Sequence, residues 1–357
     1  MKTIFIVDDN DVNLSTAKKA LSKQYRAFTL SSASAMFELL NDIVPDLILL
    51  DILMPNMDGF EAMNLLKSDG RYSDIPVLFL TSQNDTSTEA HGFELGAVDF
   101  VSKPFSEPVL LNRIKTHLDI DGIIRKRTEK LQRLQNSLVS ILANMVENRD
   151  KYTGRHIERT TKYIKILLEA MLQRGVYSGE ISRWTLEELV PSSGLPDIPI
   201  KVESVNLESV ISSARLHDIG KITISDLILN KPGKLTEEEF ELMKTHAIEG
   251  EKIIDSIINE SGSEPFLQNA KLFAGSHHEK WDGTGYPRGL KAEDIPLQGR
   301  VLAIADVYDA LVSERPYKNA FTHEIAVNII KESRGSHFDP QIVDVFLEVG
   351  SLFKEAQ

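Results

Sequence analysis

The stretch DLILLDILMPNMDGF, Asp46–Phe60, decides how the first half of the chain is read. Leu47–Leu50 are apolar without polar alternation, as in a strand covered on both faces of a parallel sheet. The run ends on a carboxylate, Asp51, and Gly59–Lys67 then takes on helical periodicity. Outward from this unit the same alternation repeats. Strand candidates are Thr3–Val7, Ala27–Leu30, Asp46–Leu50, Pro76–Leu80 and Phe100–Val101, separated by helical stretches at Val12–Ser22, Ala35–Asn41, Gly59–Lys67 and Thr88–Leu95. Five such units predict an α/β domain over residues 1–118, a doubly wound five-stranded parallel sheet. Its site lies at the carboxyl ends of the strands.

At 357 residues the chain is long enough for two domains. A hydrophobic fraction of 42% supplies packed cores and excludes wholesale disorder. The net charge of −13 argues against a DNA or RNA partner, whose phosphates are met by Lys and Arg. With no cysteine there is no disulfide, thiolate nucleophile or Cys-ligated zinc. The N-terminus enters a strand pattern without a basic, apolar leader, and no apolar run approaches the ~20 residues that span a bilayer. These features predict a cytoplasmic protein without membrane insertion.

From about Glu107 the pattern turns helical and stays so. Leu131, Leu134, Leu138, Ile141 and Met145 follow 3,4 spacing, Ile124 extends the series by one heptad, and Arg127 interrupts it. Residues 119–147 therefore read as a linker helix, either a coiled-coil seam that makes a homodimer or an amphipathic helix lying on its own domain. An all-α domain is expected over 148–357. It is interrupted at Arg174–Asn206 by a polar, Gly- and Pro-containing excursion with a short helix expected around Trp184–Leu189.

Asp8 and Asp9 end the first strand and Asp51 the third, so the sheet brings three carboxylates to one edge. Their mutual repulsion is relieved by a hard cation, for which Mg²⁺ is suited. Thr81 and Lys103 end the fourth and fifth strands and add a hydroxyl and an ammonium. A carboxylate so surrounded can accept a phosphoryl group, because the cations neutralise the transferring oxygens.

Asp8-Asp9, Asp51 with Met54-Pro55 and Asp58-Gly59, Thr81-Ser82 and Lys103-Pro104-Phe105 together resemble the receiver domain of two-component response regulators, over essentially all of residues 1–118. The resemblance implies that Asp51 takes phosphate from a cognate histidine kinase. It also implies that Asp8, Asp9, Asp51 and the Leu53 carbonyl hold Mg²⁺, and that Thr81 and Lys103 contact the phosphoryl group. Phe100 stands where the family places an aromatic that repacks on activation.

In the second half His217-Asp218, His246, His277-His278 and Asp306 form a spaced set, with His156 upstream. Imidazoles and carboxylates suit first-row divalent ions, and a carboxylate can bridge two of them. Such a pair can activate water and clamp a phosphodiester. Lys221, three residues after Asp218, shares its helical face and can meet a phosphate oxygen.

The run HHEKWDGTGYP at His277–Pro287 resembles the HD-GYP family, the HD-domain phosphohydrolases that cleave cyclic di-GMP. LHDIGK at Leu216–Lys221, ENRDKYTGRH at Glu147–His156, IADVYDAL at Ile304–Leu311 and RPYK at Arg315–Lys318 support it, and the likeness spans about residues 145–350 outside the excursion. It implies a phosphorylation-regulated phosphodiesterase whose final product is pGpG or GMP, with two divalent transition metals, Fe or Mn. One metal would be held by His156, His217, Asp218 and Asp306. The other would be held by bridging Asp218 with His246, His277 and His278. Lys221, Arg315 and Lys318 would meet substrate phosphates, and Gly285, Tyr286 and Arg288 would border the substrate.

Glu279 and Asp282 are read either as acceptors for ligand histidines or as loop caps, and His91, His117, His323 and His337 as surface or structural. Tyr152 occupies the place of the acid with which some members hold a third metal. Arg215 stands where the family has a small or apolar residue, and 61 positions separate His156 from His217. The last two features motivate an alternative: a non-catalytic effector that binds cyclic di-GMP or a diguanylate cyclase.

Overall fold

The computed structural model describes residues 1–82, 86–149, 155–184, 207–314 and 320–357. The chain divides into two compact units, Met1–Gln132 and Arg133–Gln357.

In the first unit, β1 (Thr3–Val7), β2 (Arg26–Leu30), β3 (Leu47–Asp51), β4 (Val77–Thr81) and β5 (Asp99–Ser102) form one parallel sheet in the order β2-β1-β3-β4-β5. Each strand lies within a residue or two of the stretch expected from periodicity. Alternate residues serve opposite faces, as the pleat requires. Ile48 and Leu50 pack with Met36, Leu40, Ala62, Met63 and Leu66, from α2 (Ala33–Leu40) and α3 (Gly59–Ser68). Leu47 and Leu49 pack with Leu14, Ala17 and Leu21 of α1 (Asp11–Leu21), and with Leu110, Ile114 and Leu118. Covering both faces is why β3 carries no polar residue before Asp51, each buried Leu contributing about 1.5–3 kcal/mol. Asn10 caps α1, and Asp58 with Glu61 closes a capping box on α3. The helix α4 (Thr86–Glu94) precedes β5.

The linker expected at 119–147 is part of one longer helix, α5 (Glu107–Arg149), with no break where the domain was expected to end. Its Val139, Ala143 and Val146 are buried. In the second unit Val139 packs with Leu216, Ile254, Phe266, Ala270 and Ala274. The 3,4 series lies on another face: Leu131, Leu134, Leu138, Ile141 and Met145 are 52–66% exposed.

The second unit is otherwise helical: α6 (His156–Gln173), α7 (Ser178–Arg183), α8 (Leu207–Ser213), α9 (Asp226–Leu229), α10 (Glu237–Ser261), α11 (Pro265–Ser276), α12 (Leu297–Val312), α13 (His323–Glu332) and α14 (Pro340–Glu355). Short 3₁₀ turns at Ala214–Leu216 and Ile219–Thr223 join α8 to α9. Tyr163, Leu167 and Met171 of α6 pack with Val301, Ile304 and Tyr308 of α12 and with Phe346 and Phe353 of α14. Part of the excursion is therefore integral. It carries the short helix α7, Ile181 of which enters this core while Tyr177 donates to Asp339 at 3.0 Å; the helix expected around Trp184–Leu189 falls almost wholly outside the described residues. Residues 185–206 of the excursion lie outside the described residues.

Candidate active site

At the edge of the sheet, Asp8 and Asp51 are buried and Asp9 is exposed, and one oxygen from each lies within 4.8 Å of the others. Lys103 reaches from the end of β5, its Nζ 2.7 Å from both Asp8 Oδ2 and Asp51 Oδ1. Asp8 Oδ1 accepts from Asn10 N–H at 2.9 Å and Asn13 Nδ2 at 3.0 Å. Burial pushes the Asp51 carboxyl up, with Asp8 adding to it and Lys103 and the Leu53 N–H opposing. Thr81 is buried at the end of β4, beside β3. Phe100 packs edge-on to Phe93 at 4.9 Å and beside Phe79 at 5.5 Å. Three converging carboxylates around one ammonium fit a bound Mg²⁺.

The second pocket is assembled from five segments of the helical unit. His156 opens α6, His217 and Asp218 sit between the two 3₁₀ turns, His246 is in α10, His277 and His278 end α11, and Asp306 is in α12. Two groups converge: His156, His217 and Asp218, and His246, His277 and His278, each with donor atoms within 4.8 Å of one another. Asp218 lies between them, with Oδ2 3.4 Å from His217 Nε2 and Oδ1 3.4 Å from His246 Nε2 and 3.8 Å from His277 Nε2. Asp306 Oδ1 is 3.4 Å from His156 Nε2.

The chemistry of these donors fits metal. Nδ1 of His217 faces Ala214 O at 2.9 Å, Nδ1 of His246 faces Met243 O at 2.7 Å, and Nδ1 of His277 faces Phe273 O and Ala274 O at 3.0 Å. A carbonyl only accepts, so each Nδ1 carries a proton and each Nε2 is turned toward Asp218. Burial lowers the pKa of His217, but Asp218 and Asp306 outweigh it and the net direction is upward. Nε2 of His217 is buried without a hydrogen-bond partner among the described residues. Burial, reinforced by neighbouring imidazoles, drives His277 down to about 3 and lowers His278 and His246 as well, which keeps them neutral. Asp218 is held well below the usual carboxylate range: burial opposes this and is outweighed by Lys221 and His217. The Lys221 ammonium lies 2.8 Å from Asp218 Oδ2.

The Asp282–Arg288 loop abuts this pocket, with the Tyr286 ring 4.7 Å from that of His278. Glu279 is buried and its carboxylate accepts the N–H groups of Arg288 at 2.7 Å and Leu290 at 3.0 Å, while Asp282 accepts from Thr284. Both acids are loop caps rather than acceptors for ligand histidines. Gly285 is required by the loop itself: a Cβ there would stand 2.3 Å from Lys280 N. Arg288 pairs with Glu251 and donates to Gly275 O at 3.1 Å. Among the described residues Arg215 meets no acid, but the hydroxyl of Ser140 on α5. Arg315, Lys318 and Tyr152 lie outside the described residues. His117 contacts Asp99, His323 contacts Tyr308 and His91 meets Phe60. His337 stacks on Phe338 and its carbonyl accepts the Trp281 N–H at 3.0 Å, within electrostatic reach of Asp306.

Two contributors escape a reading of the sequence. Asp309, buried one helical turn after Asp306, faces His156 Nδ1 at 2.8 Å and is itself gripped by Arg159 at 2.6 and 2.9 Å. The signal is a pair of i,i+3 spacings, His156/Arg159 and Asp306/Asp309, on helices that prove to face each other. Gly220 is the other: a Cβ there would lie 1.9 Å from His246 O, so only glycine lets the turn bearing Asp218 settle on α10.

A phosphoryl-acceptor pocket on an α/β sheet and a histidine-rich pocket in a helical unit define a response regulator with an HD-type output. Residues 4–115 match the response regulator receiver domain, and residues 200–342 match the HD domain. The chain is 41% identical to a probable cyclic di-GMP phosphodiesterase of Vibrio cholerae, over 97% of this chain and 77% of the relative. It is 37% identical to the cyclic di-GMP phosphodiesterase response regulator RpfG of Xanthomonas campestris pv. campestris, over 85% and 75%. With the cyclic di-GMP phosphodiesterase of Thermotoga maritima it shares 32% identity over 97% and 90%. The chain belongs to this family of receiver–HD response regulators. Among the described residues, no helix is long and apolar enough to cross a membrane.

Proposed function

We propose that the protein is a phosphorylation-regulated, metal-dependent cyclic di-GMP phosphodiesterase that opens the ring to pGpG. The observation that carries this reading is the convergence of two histidine-containing groups on the Asp218 carboxylate. Two divalent ions, Fe or Mn, would be held by His156, His217, Asp218 and Asp306 and by Asp218, His246, His277 and His278; when bound they supply a nucleophilic water and neutralise phosphate charge. Hydrolysis forms a bond from the water oxygen to phosphorus and breaks the bond to the ribose 3′ oxygen, which leaves as a hydroxyl. Lys221, next to Asp218, faces the phosphate, and Tyr286 and Gly285 border the nucleotide. Arg288, which pairs with Glu251, borders the substrate from the same loop. The test is turnover by full-length protein loaded with Mn²⁺ or Fe²⁺, with Asp218→Ala as control. Equal, negligible product from both rejects the reading, and tight binding without turnover makes the protein a non-catalytic effector.

For regulation, a histidine kinase phosphorylates Asp51, with Mg²⁺ held by Asp8, Asp9 and Asp51 and with Thr81 and Lys103 on the phosphoryl group. Support comes from the carboxylate–ammonium geometry at the sheet edge. The change is carried by α5, which starts in the receiver and ends beside the metal ligands, and by a homodimer formed through its exposed apolar seam. Activity and oligomer size measured with and without a phosphoryl analogue test this, and no change in either counts against it.

A further inference from the structure

The 3₁₀ turn Ile219–Thr223 holds Lys221 at the pocket, yet of its five residues only Gly220 is buried. Ile219 packs against the core around Leu216 and Ile254, and within the turn Gly220 O accepts the Thr223 hydroxyl at 2.9 Å and Lys221 O the Ile224 N–H at 3.1 Å. A turn of this kind ends with carbonyls that take further donors. One side chain on α5 meets several of them. Arg149, the last residue of α5, donates through Nη1 to Lys221 O at 3.3 Å and Ile222 O at 2.9 Å. Through Nη2 it donates to Ile224 O at 3.0 Å and Asp226 Oδ1 at 2.8 Å. Its own carbonyl accepts from Asn230 Nδ2 at 2.8 Å, which closes the junction from the other side. Two residues earlier, the Glu147 carboxylate accepts the backbone N–H of His156 at 2.6 Å. The final turn of α5 thus grips the main chain of both segments that frame one donor group, and Ala143, Val146 and Glu147 line a cavity with Asp218 and Lys221.

We propose that Arg149 is a positioning residue for Lys221, holding the lysine's turn by its carbonyls so that the ammonium stays against Asp218 and the phosphate. This rests on the phosphate-contacting role given to Lys221 above. A planar guanidinium with five fixed donors can collect several carbonyls at once, whereas a lysine ammonium cannot reproduce the fork.

The test uses full-length, metal-loaded protein as wild type, Arg149→Ala, Arg149→Lys, Lys221→Ala and the Arg149→Ala/Lys221→Ala double variant. Three quantities are read: kcat on cyclic di-GMP, affinity for inorganic phosphate by calorimetry, and bound metal per chain. Arg149→Ala is expected to lower kcat on the order of 100-fold, the effect of a reacting group displaced by about 1 Å, with metal content unchanged. Phosphate affinity should fall as it does in Lys221→Ala. Arg149→Lys should resemble Arg149→Ala, and the double variant should be no worse than Lys221→Ala alone. Losses that multiply in the double variant, or an Arg149→Ala enzyme as fast as wild type, overturn the proposal, as does a loss that merely follows lost metal. If Arg149→Ala does not fold, Asn230→Ala and Asp226→Ala, which remove one arm each, carry the same comparison. A wild type that turns nothing over defeats the phosphodiesterase reading, and the phosphate titrations still decide the role of Arg149.

Discussion

Asp309 on α12 and His156 on α6 are joined carboxylate to imidazole, Oδ2 to Nδ1, at 2.8 Å. The contact leaves Nε2 of His156 turned toward Asp306, and Arg159 and Ser313 hold the carboxylate from behind. Such a partner fixes the ring's orientation and raises the basicity of the ligating nitrogen. Asp309→Asn should therefore weaken metal binding by about 10- to 100-fold at the ion held by His156. Metal titration followed by elemental analysis checks this, and unaltered occupancy at limiting metal would show that His156 needs no such support.

Gly220 is expected to be intolerant of even one methyl group. A Cβ would be driven into His246 O and Gly250 N, at 1.9 and 2.5 Å, and both are backbone atoms of α10. Gly220→Ala must push the turn away from the helix, at a cost of about 1–3 kcal/mol. Asp218 and Lys221 move with the turn, so activity should fall more than stability. Comparing kcat with the midpoint of a urea melt separates the two, and a variant with full activity would mean the turn adjusts without disturbing Asp218.

Strand positions, sheet class and the ends at which Asp8, Asp51, Thr81 and Lys103 stand were legible because buried parallel strands leave a continuous apolar signature and their ends share an edge. The histidine set was legible from its adjacent pairs, His217-Asp218 and His277-His278. Asp309, Gly220 and Arg149 were not legible in their roles, since each acts across helices distant in sequence and carries no local periodicity. Glu279 shows the limit from the other direction. Adjacent to two ligand histidines, it serves the loop backbone at Arg288 and Leu290. The 3,4 series on α5 left two readings open; the helix buries a different face, Val139, Ala143 and Val146, and the series itself stays exposed at Leu134 and Leu138.

Asp99 gives the receiver a pH-dependent tie. Its carboxylate receives Arg113, His117 and the Phe100 N–H, which fastens the start of α5 to β5. Burial raises its pKa, but these partners outweigh burial and the net direction is downward. A carboxylate with a depressed folded pKa contributes stability above its unfolded value of about 3.9, and that contribution is lost as pH falls through the folded value. Asp99→Asn should lower the receiver's Tm at pH 7, with the gap closing as the pH drops from about 5 toward 2. A gap that is constant with pH would assign the effect to packing rather than charge.

The exposed seam on α5 makes the last prediction. Leu131, Leu134, Leu138, Ile141 and Met145 repeat at heptad spacing and stay uncovered among the described residues, although the same helix buries another face in its own unit. A second copy would supply the matching stripe, because a self-complementary surface repeats on both partners of a twofold pair. Replacing Leu134 and Leu138 with glutamate takes away two leucines that such a dimer would bury, each contributing about 1.5–3 kcal/mol, and sets like charges against each other across the seam. The variant should sediment at half the mass of the wild type. It should also keep its metal, since neither leucine touches the ligand set. Wild-type protein that is already monomeric at micromolar concentration, with Asp51 either free or carrying a phosphoryl analogue, would rule out the seam as the dimer contact.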